Sequence, residues 1–208
     1  MKPPLLVATR SSGKQREIKK ILADIPLRVI FPDEAGIPET SVEDELEDAG
    51  SFEGNAHRKA GYFAKRSKLP TVADDSGIEV FALGGKPGVH SKRFAMPSPH
   101  HDQDIANNEE LLRRLAGAPE ERRRARYRCC VVYLPDPTAL PRTFEGTCQG
   151  RILTEPCGTG GFGYDPLFWS DDLDRCFGEV AAEEKHAVSH RGRAFRAFAE
   201  WLAENPIY

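Results

Sequence analysis

The sequence predicts an α/β fold with a mixed sheet, and three observations carry that prediction. Short apolar runs alternate with amphipathic stretches of helical period through the first half of the chain. Two longer strand-like segments, 126–134 and 144–153, then follow each other across a proline-bounded connection, 135–141. A long amphipathic stretch, 189–204, closes the chain, with Phe195, Phe198 and Trp201 on its apolar side.

Taken in order, residues 5–9 read as a short buried strand. The polar turn Arg10-Ser11-Ser12-Gly13 supplies helix-capping hydroxyls for a helix over 14–22, where Ile18, Ile21 and Leu22 share a face. Residues 27–31 form the second expected strand. Residues 32–50 read as a polar, acidic connector, with carboxylates crowded between Glu43 and Asp48. A helix over 51–67 buries Phe52, Ala56, Ala60 and Phe63. Residues 71–73 form a short strand that runs into Asp74-Asp75-Ser76-Gly77, and 78–82 continue extended. Loops are expected at 84–88 and 97–101, an amphipathic helix at 102–115, and a glycine-rich loop at 158–165. The last helix takes Ser189 as its N-cap.

The chain has 208 residues and a formal net charge of -3, which suits one domain large enough to divide into two lobes. A net negative molecule does not attract polyanions as a whole, so an anionic ligand must be held by local cations. The five cysteines are odd in number and lack a C-x-x-C spacing, which points to reduced thiols rather than a zinc or disulfide framework. The first apolar run is too short for a secretory signal, and no stretch approaches the roughly 20 apolar residues of a membrane span. The expected setting is the cytoplasm, away from any membrane.

Four motifs bear chemistry. Asp74 and Asp75 at a strand end suit a divalent cation such as Mg²⁺, which takes oxygen ligands; an Asx-type turn accounts for the pair equally well. Thr9-Arg10-Ser11-Ser12-Gly13-Lys14 sets hydroxyls, a lysine and the N–H groups of a helix start together, as a phosphate site requires, although it is not a Walker A loop. Gly158 to Asp165 brings backbone close to a ligand, and Phe162 or Tyr164 offers an aromatic face to a base. Lys185, His190 and Arg191 gather cations around the start of the last helix. The arginine run Arg122, Arg123, Arg124, Arg126 and Arg128 is read as a solvated connection entering a strand; no nucleic-acid partner is expected.

In this order the motifs resemble those of the inosine triphosphate pyrophosphatase family, and the resemblance covers nearly the whole chain. The stretch Ala73-Asp74-Asp75-Ser76-Gly77-Ile78 through Gly84-Gly85-Lys86-Pro87-Gly88 to Phe94 carries it, with Gly158 to Phe168, Glu184-Lys185 and Ser189-His190-Arg191-Gly192. The resemblance implies a long mixed central sheet flanked by helices, two lobes with an active-site cleft between them, and residues 1–208 acting as a single domain. It implies a homodimer. It also implies Mg²⁺-dependent hydrolysis of damaged purine nucleotides (ITP, dITP, XTP) to a monophosphate and pyrophosphate.

Residue by residue, Asp75 matches the family's catalytic aspartate, a metal ligand and proton acceptor. Glu47 matches the second metal-linked acid. Thr9, Arg10, Ser11, Ser12, Gly13 and Lys14 match the triphosphate loop, and Lys59 a further phosphate-facing lysine. Ser76, Phe162, Gly163, Tyr164, Asp165, Lys185, His190 and Arg191 match substrate-binding positions. Two positions depart from the pattern. Arg10-Ser11 stands where the family has a small residue followed by Asn, and Gly54 where it commonly has Glu. A pyrophosphatase of another base preference, a nucleotide-binding regulator without turnover, and a nucleic-acid binder are the competing readings.

Overall fold

Pro-Leu-Leu-Val over β1 (Pro4–Val7) is apolar throughout, and Leu5, Leu6 and Val7 are all buried, as in a strand covered on both faces. β1 pairs in parallel with β2 (Arg28–Ile30) and with β3 (Thr71–Val80), in the register Leu6 to Thr71 and Val7 to Val72. The computed structural model describes residues 2–96 and 102–206. Among these, seven strands form one sheet in the order β2-β1-β3-β4-β5-β6-β7, with β4 at Arg124–Leu134, β5 at Arg142–Ile152, β6 at Phe168–Ser170 and β7 at Arg175–Cys176. The β5–β6 and β6–β7 pairs are antiparallel, so the sheet is mixed. The loop expected at 97–101 lies outside the described residues.

The chain falls into two units. Residues 1–75, 129–146 and 191–208 make the first; residues 76–128 and 147–190 make the second. In the first, Leu5, Val7, Val72, Cys129, Val131 and Tyr133 form one core with Ile18 of α1 (Ser12–Ile21), Leu22 at its C-cap, and Phe195 and Phe198 of α5 (His190–Glu204). Alternate residues of each strand enter this core, as the two-residue period of a strand requires. The buried face of α2 (Phe52–Ser67) carries Phe52, Ala56, Ala60 and Phe63. In the second unit, Ile78, Val80, Tyr127, Cys148, Phe168 and Phe177 pack with Leu111 of α3 (Gln103–Arg114). All five cysteines are free thiols, and four of them are buried.

Four local expectations are corrected. β3 does not stop before the paired aspartates: it runs unbroken from Thr71 to Val80, so Asp74 and Asp75 are strand residues and not a turn. Backbone pairing with flanking strands outweighs the turn preference of Asp and Gly. The acidic connector contains a 3-10 helix, Ser41–Glu47. A separate short helix, α4 (Ala182–Val188), precedes α5 where none was expected; Ser189 is extended and stands directly before His190, where α5 starts, at the N-cap position expected of it. The arginine run is not merely solvated. Arg123 is buried and donates to the carbonyls of Leu115, Ile152 and Leu153 at 2.6–3.0 Å, while Arg124 pairs with Asp171 and Arg126 with Glu79.

Candidate active site

In the first unit the parallel register sets Val7, the last residue of β1, beside Val72 of β3, two residues before Asp74. The loop after β1 therefore lies next to Asp74. Ser11 caps α1, its side chain accepting from the Lys14 backbone N–H, and Gln15 donates to the carbonyl of Thr9 at 3.0 Å. This fixes the start of α1, and Lys14 Nζ lies 3.0 Å from Asp74 Oδ2. Ser12 opens the helix and Gly13 is buried in its first turn. Arg191, at the start of α5, donates to the same Asp74 oxygen at 3.3 Å and pairs with Glu17 of α1. Cys129 Sγ lies 3.9 Å from it. Burial opposes the charge on Asp74, but Lys14, Arg191 and Lys59 outweigh burial and hold its carboxyl well below the usual range. Burial likewise opposes the charge of Arg191, and Asp74 and Glu17 overcome it.

Asp75 has different partners. Asn55 and Lys59 sit four residues apart on α2, hence on one helix face. Asn55 Nδ2 donates to Asp75 Oδ2 at 2.9 Å, and Lys59 Nζ lies 3.3 Å from Asp75 Oδ1 and 3.1 Å from Glu47 Oε1. Asn55 is itself oriented by the Ala49 N–H, 2.8 Å from its Oδ1. Burial disfavours the Lys59 ammonium, yet Asp75 and Glu47 raise its pKa above the ordinary lysine value. Adjacent strand residues thus serve opposite faces: Asp74 shares the face of Val72 with α1 and α5, and Asp75 turns to α2.

Both departures from the family pattern have a structural account. Gly54 lies in the first turn of α2, where a Cβ would come within 2.8 Å of Ala49 Cβ and 3.0 Å of Ser51 Oγ. A side chain there would press on the N-cap and on the residue that orients Asn55. Arg10 does not extend a free cation. Its guanidinium donates to Glu43 at 2.7 and 2.8 Å, to the carbonyl of Ile37 at 3.0 Å, and to Asp33.

The second unit holds a different constellation. Asp165 is 1% exposed and accepts from the Phe162 N–H at 2.9 Å and from Lys185 Nζ at 2.5 Å, while the Tyr127 hydroxyl lies 3.4 Å from its other oxygen. The turn that permits this needs Gly161, which has φ +75° and whose Cβ would sit 2.0 Å from Asp165 Oδ2. Lys185, from α4, lies 4.9 Å from the centroid of the Phe162 ring. His190 stacks on Tyr127 with centroids 4.5 Å apart and planes 6° apart. Gly163 donates its N–H to Asp104.

The two aromatics of the glycine-rich loop are in different situations. Phe162 is partly exposed, whereas Tyr164 is buried in the core with its hydroxyl donating to the carbonyl of Ser91 at 2.8 Å. Phe162 is the one with a ring face to offer. Ser76 follows Asp75 on β3, at the start of the second unit.

Thus Lys14, Lys59, Glu47, Asp75 and Arg191 gather around two carboxylates in the first unit. Phe162, Asp165, Lys185 and His190 gather in the second. Sequence reasoning did not assign Glu17, Asn55 or Tyr127 a part, and gave Asp74 one only as a cation-placing partner of Asp75. Helix spacing offered a signal for two of the three, since Asn55 lies four residues before Lys59 and Glu17 three after Lys14. Tyr127 stood in the arginine run as its aromatic, with no role given to it.

The model of the Ham1 family matches residues 5–201. A dITP/XTP pyrophosphatase of Syntrophobacter fumaroxidans is 48% identical over 91% of this chain and 78% of its own length. One from Geobacter sulfurreducens is 45% identical over 95% of this chain and 96% of its own. The structure of a HAM1 protein from Coxiella burnetii superposes with a TM-score of 0.84 at 32% identity, covering 97% of this chain and 99% of that one.

Proposed function

This chain belongs to the Ham1 family, and from that premise we propose that it is a nucleoside-triphosphate pyrophosphatase acting on the purine triphosphates ITP, dITP and XTP. The bond broken lies between the α and β phosphates, giving a nucleoside monophosphate and pyrophosphate.

The observation that carries the reading is the setting of Asp75. Its two oxygens are engaged by Asn55 and Lys59, with Glu47 on the far side of the same ammonium. A carboxylate so oriented is suited to accept a proton from the water that attacks phosphorus. Lys14 and Lys59 face the phosphates, assisted by the N–H groups at the start of α1. Lys14 is kept in place by Asp74, which Arg191 in turn holds.

The residues also fit a hard cation. Glu17, Glu47, Asp74 and Asp75 are four carboxylates against the three cations Lys14, Lys59 and Arg191 within these ion pairs, a formal charge of −1. A polyanionic substrate needs further positive charge to enter such a cluster. Asp74 Oδ1 is buried with no hydrogen-bond partner among the described residues. Among those residues no group of three His, Cys, Asp or Glu side chains is placed to hold a metal ion, so two carboxylates, waters and substrate oxygens would have to make up the shell of Mg²⁺. Asp75 and Glu47 would hold it. Bound there, Mg²⁺ supplies neutralisation of phosphoryl charge.

Phe162 offers the stacking face for the base, and the Lys185 ammonium, which can donate but not accept and already donates to Asp165, lies 4.9 Å from its ring centroid. A 6-oxo purine presents an acceptor to such a donor; adenine presents an amine, and two donors facing each other out of water are costly. His190 and Arg191 are the other donors of this reading. Residues 1–208 act as one functional domain, and the chain works as a cytoplasmic homodimer, which sedimentation of the purified protein tests.

The test is pyrophosphate release from ITP, XTP, dITP, ATP and GTP, with and without Mg²⁺, beside Asp75→Asn. The expected result is metal-dependent release favouring the first three, with kcat reduced about 10²- to 10⁴-fold in the variant. Binding of nucleotide with no release by folded protein would instead make the chain a regulator.

A further inference from the structure

The 3-10 helix Ser41–Glu47, which carries Glu47, is poorly able to hold itself. It is seven residues long, beyond the usual three or four of such helices, and none of its residues is buried. Its N-cap, Thr40, makes no side-chain capping bond. It also concentrates like charge in Glu43, Asp44, Glu45 and Glu47. Something outside the helix must therefore set its position.

Arg10 is the strongest such hold. Its guanidinium makes a two-pronged contact with Glu43 at 2.7 and 2.8 Å and reaches Asp33 and the carbonyl of Ile37 just upstream. The side chains of Arg10 and Glu43 are only 16% and 13% exposed, so the pair is better shielded than an ordinary surface bridge. Other holds include Thr40 with the Tyr62 hydroxyl at 2.7 Å and Glu47 with Lys59 at 3.1 Å, Tyr62 and Lys59 both being on α2, against which the helix lies. Glu43 and Glu47 lie four residues apart on this helix.

We infer that Arg10 is a positioning residue that latches the helix Ser41–Glu47 to the loop after β1 and so keeps Glu47 beside Lys59 and Asp75. In this arrangement Arg10 acts on the cation-holding carboxylate and not on the phosphates. The loop after β1 then sets two parts of the first unit, through Arg10 and Glu43 on one side and through Lys14 and Asp74 on the other. The inference rests on the function proposed above only where it concerns what Glu47 holds.

Arg10→Ala, Arg10→Lys and Glu43→Gln test it by two readings made without nucleotide. Hydrogen exchange over Ser41–Glu47 should quicken in all three variants, least in Arg10→Lys, and Mn²⁺ should bind about tenfold more weakly in Arg10→Ala. The double variant Arg10→Ala/Glu43→Gln should be no worse than Arg10→Ala alone, because both remove one contact. With saturating metal, KM for ITP should move less than about twofold. Unchanged exchange over Ser41–Glu47 would overturn the inference, as would quickened exchange with unchanged Mn²⁺ affinity or an unaltered chain that binds no Mn²⁺. A large rise in KM for ITP with metal binding intact would make Arg10 a phosphate contact instead. If the unaltered chain releases no pyrophosphate while exchange and Mn²⁺ affinity respond as stated, the latch stands and the proposed function falls.

Discussion

The first unit strings its buried charges into connected pairs, Glu17 to Arg191 to Asp74 to Lys14 and Glu47 to Lys59 to Asp75. Among the described residues of the second, the buried pair Asp165 with Lys185 stands among the rings of Phe162, Phe177, Tyr127 and His190. The first arrangement is one charge negative, and in the proposed function it takes a cation through which phosphates are held; the second is balanced and ring-lined, and in that proposal it takes the base. Under that proposal the difference separates charge-based from ring-based binding. It also separates how each unit should respond to substitution, because a charge removed from the first leaves uncompensated partners, whereas a ring removed from the second leaves a smaller surface.

The sharpest way to break the comparison is Arg191→Met. It strands Asp74 and Glu17 without their guanidinium, and breaking a buried pair costs about 3–5 kcal/mol. Urea unfolding should show that loss; a cost under about 1 kcal/mol would mean that the first unit is no more interdependent than the second. Next in size is Phe162→Ala. Loss of a stacking face costs about 1–3 kcal/mol in base affinity, so KM should rise by about tenfold or more for every purine while stability changes little. A fall in kcat at unchanged KM would place Phe162 outside base binding.

The smallest effect tests a charged group of the second unit outside the site. Arg113 and Arg114 donate to Glu110 on α3 and lower its pKa from 4.5 to about 2. Its folded value lies below its unfolded one, so its contribution is complete above pH 4.5 and fades as pH falls toward 2. Glu110→Gln should flatten the stability profile in that interval and leave neutral stability nearly unchanged, since exposed pairs contribute little. A large loss at pH 7 would show the second unit to depend on charge after all.

Much of this was legible in the sequence. The alternation of apolar runs located β1, α1, β2, α2 and the long β4 and β5, and the capping hydroxyls of the turn Arg10–Gly13 marked the start of α1, which Ser11 caps. The glycines of residues 158–165 pointed to backbone brought close to a ligand; within the protein Gly161 lies against the Asp165 side chain and Gly158 against the Gly178 carbonyl. What stayed hidden had no local signature. β6 and β7 are three and two residues long, too short for a period to register. The 3-10 helix Ser41–Glu47 buries none of its residues, and its partner Arg10 lies thirty-three residues upstream of Glu43. The role of Tyr127 depends on a stack with a residue far along the chain, which spacing does not encode. Asp74-Asp75 read as a unit because residues adjacent in sequence look like partners in chemistry; strand alternation sends them to different neighbours.

That alternation has a consequence for the cell. Changes at Asp74 and Asp75 look equivalent to any comparison of letters, yet they should leave different traces. A chain altered at Asp74 loses a buried counter-charge, populates unfolded forms, and should be cleared by proteases until little is left to detect. A chain altered to Asn at Asp75 keeps its fold and should accumulate at ordinary levels as an intact but idle protein. Measuring abundance beside activity would therefore tell the two lesions apart, even where both strains show the same loss of pyrophosphatase.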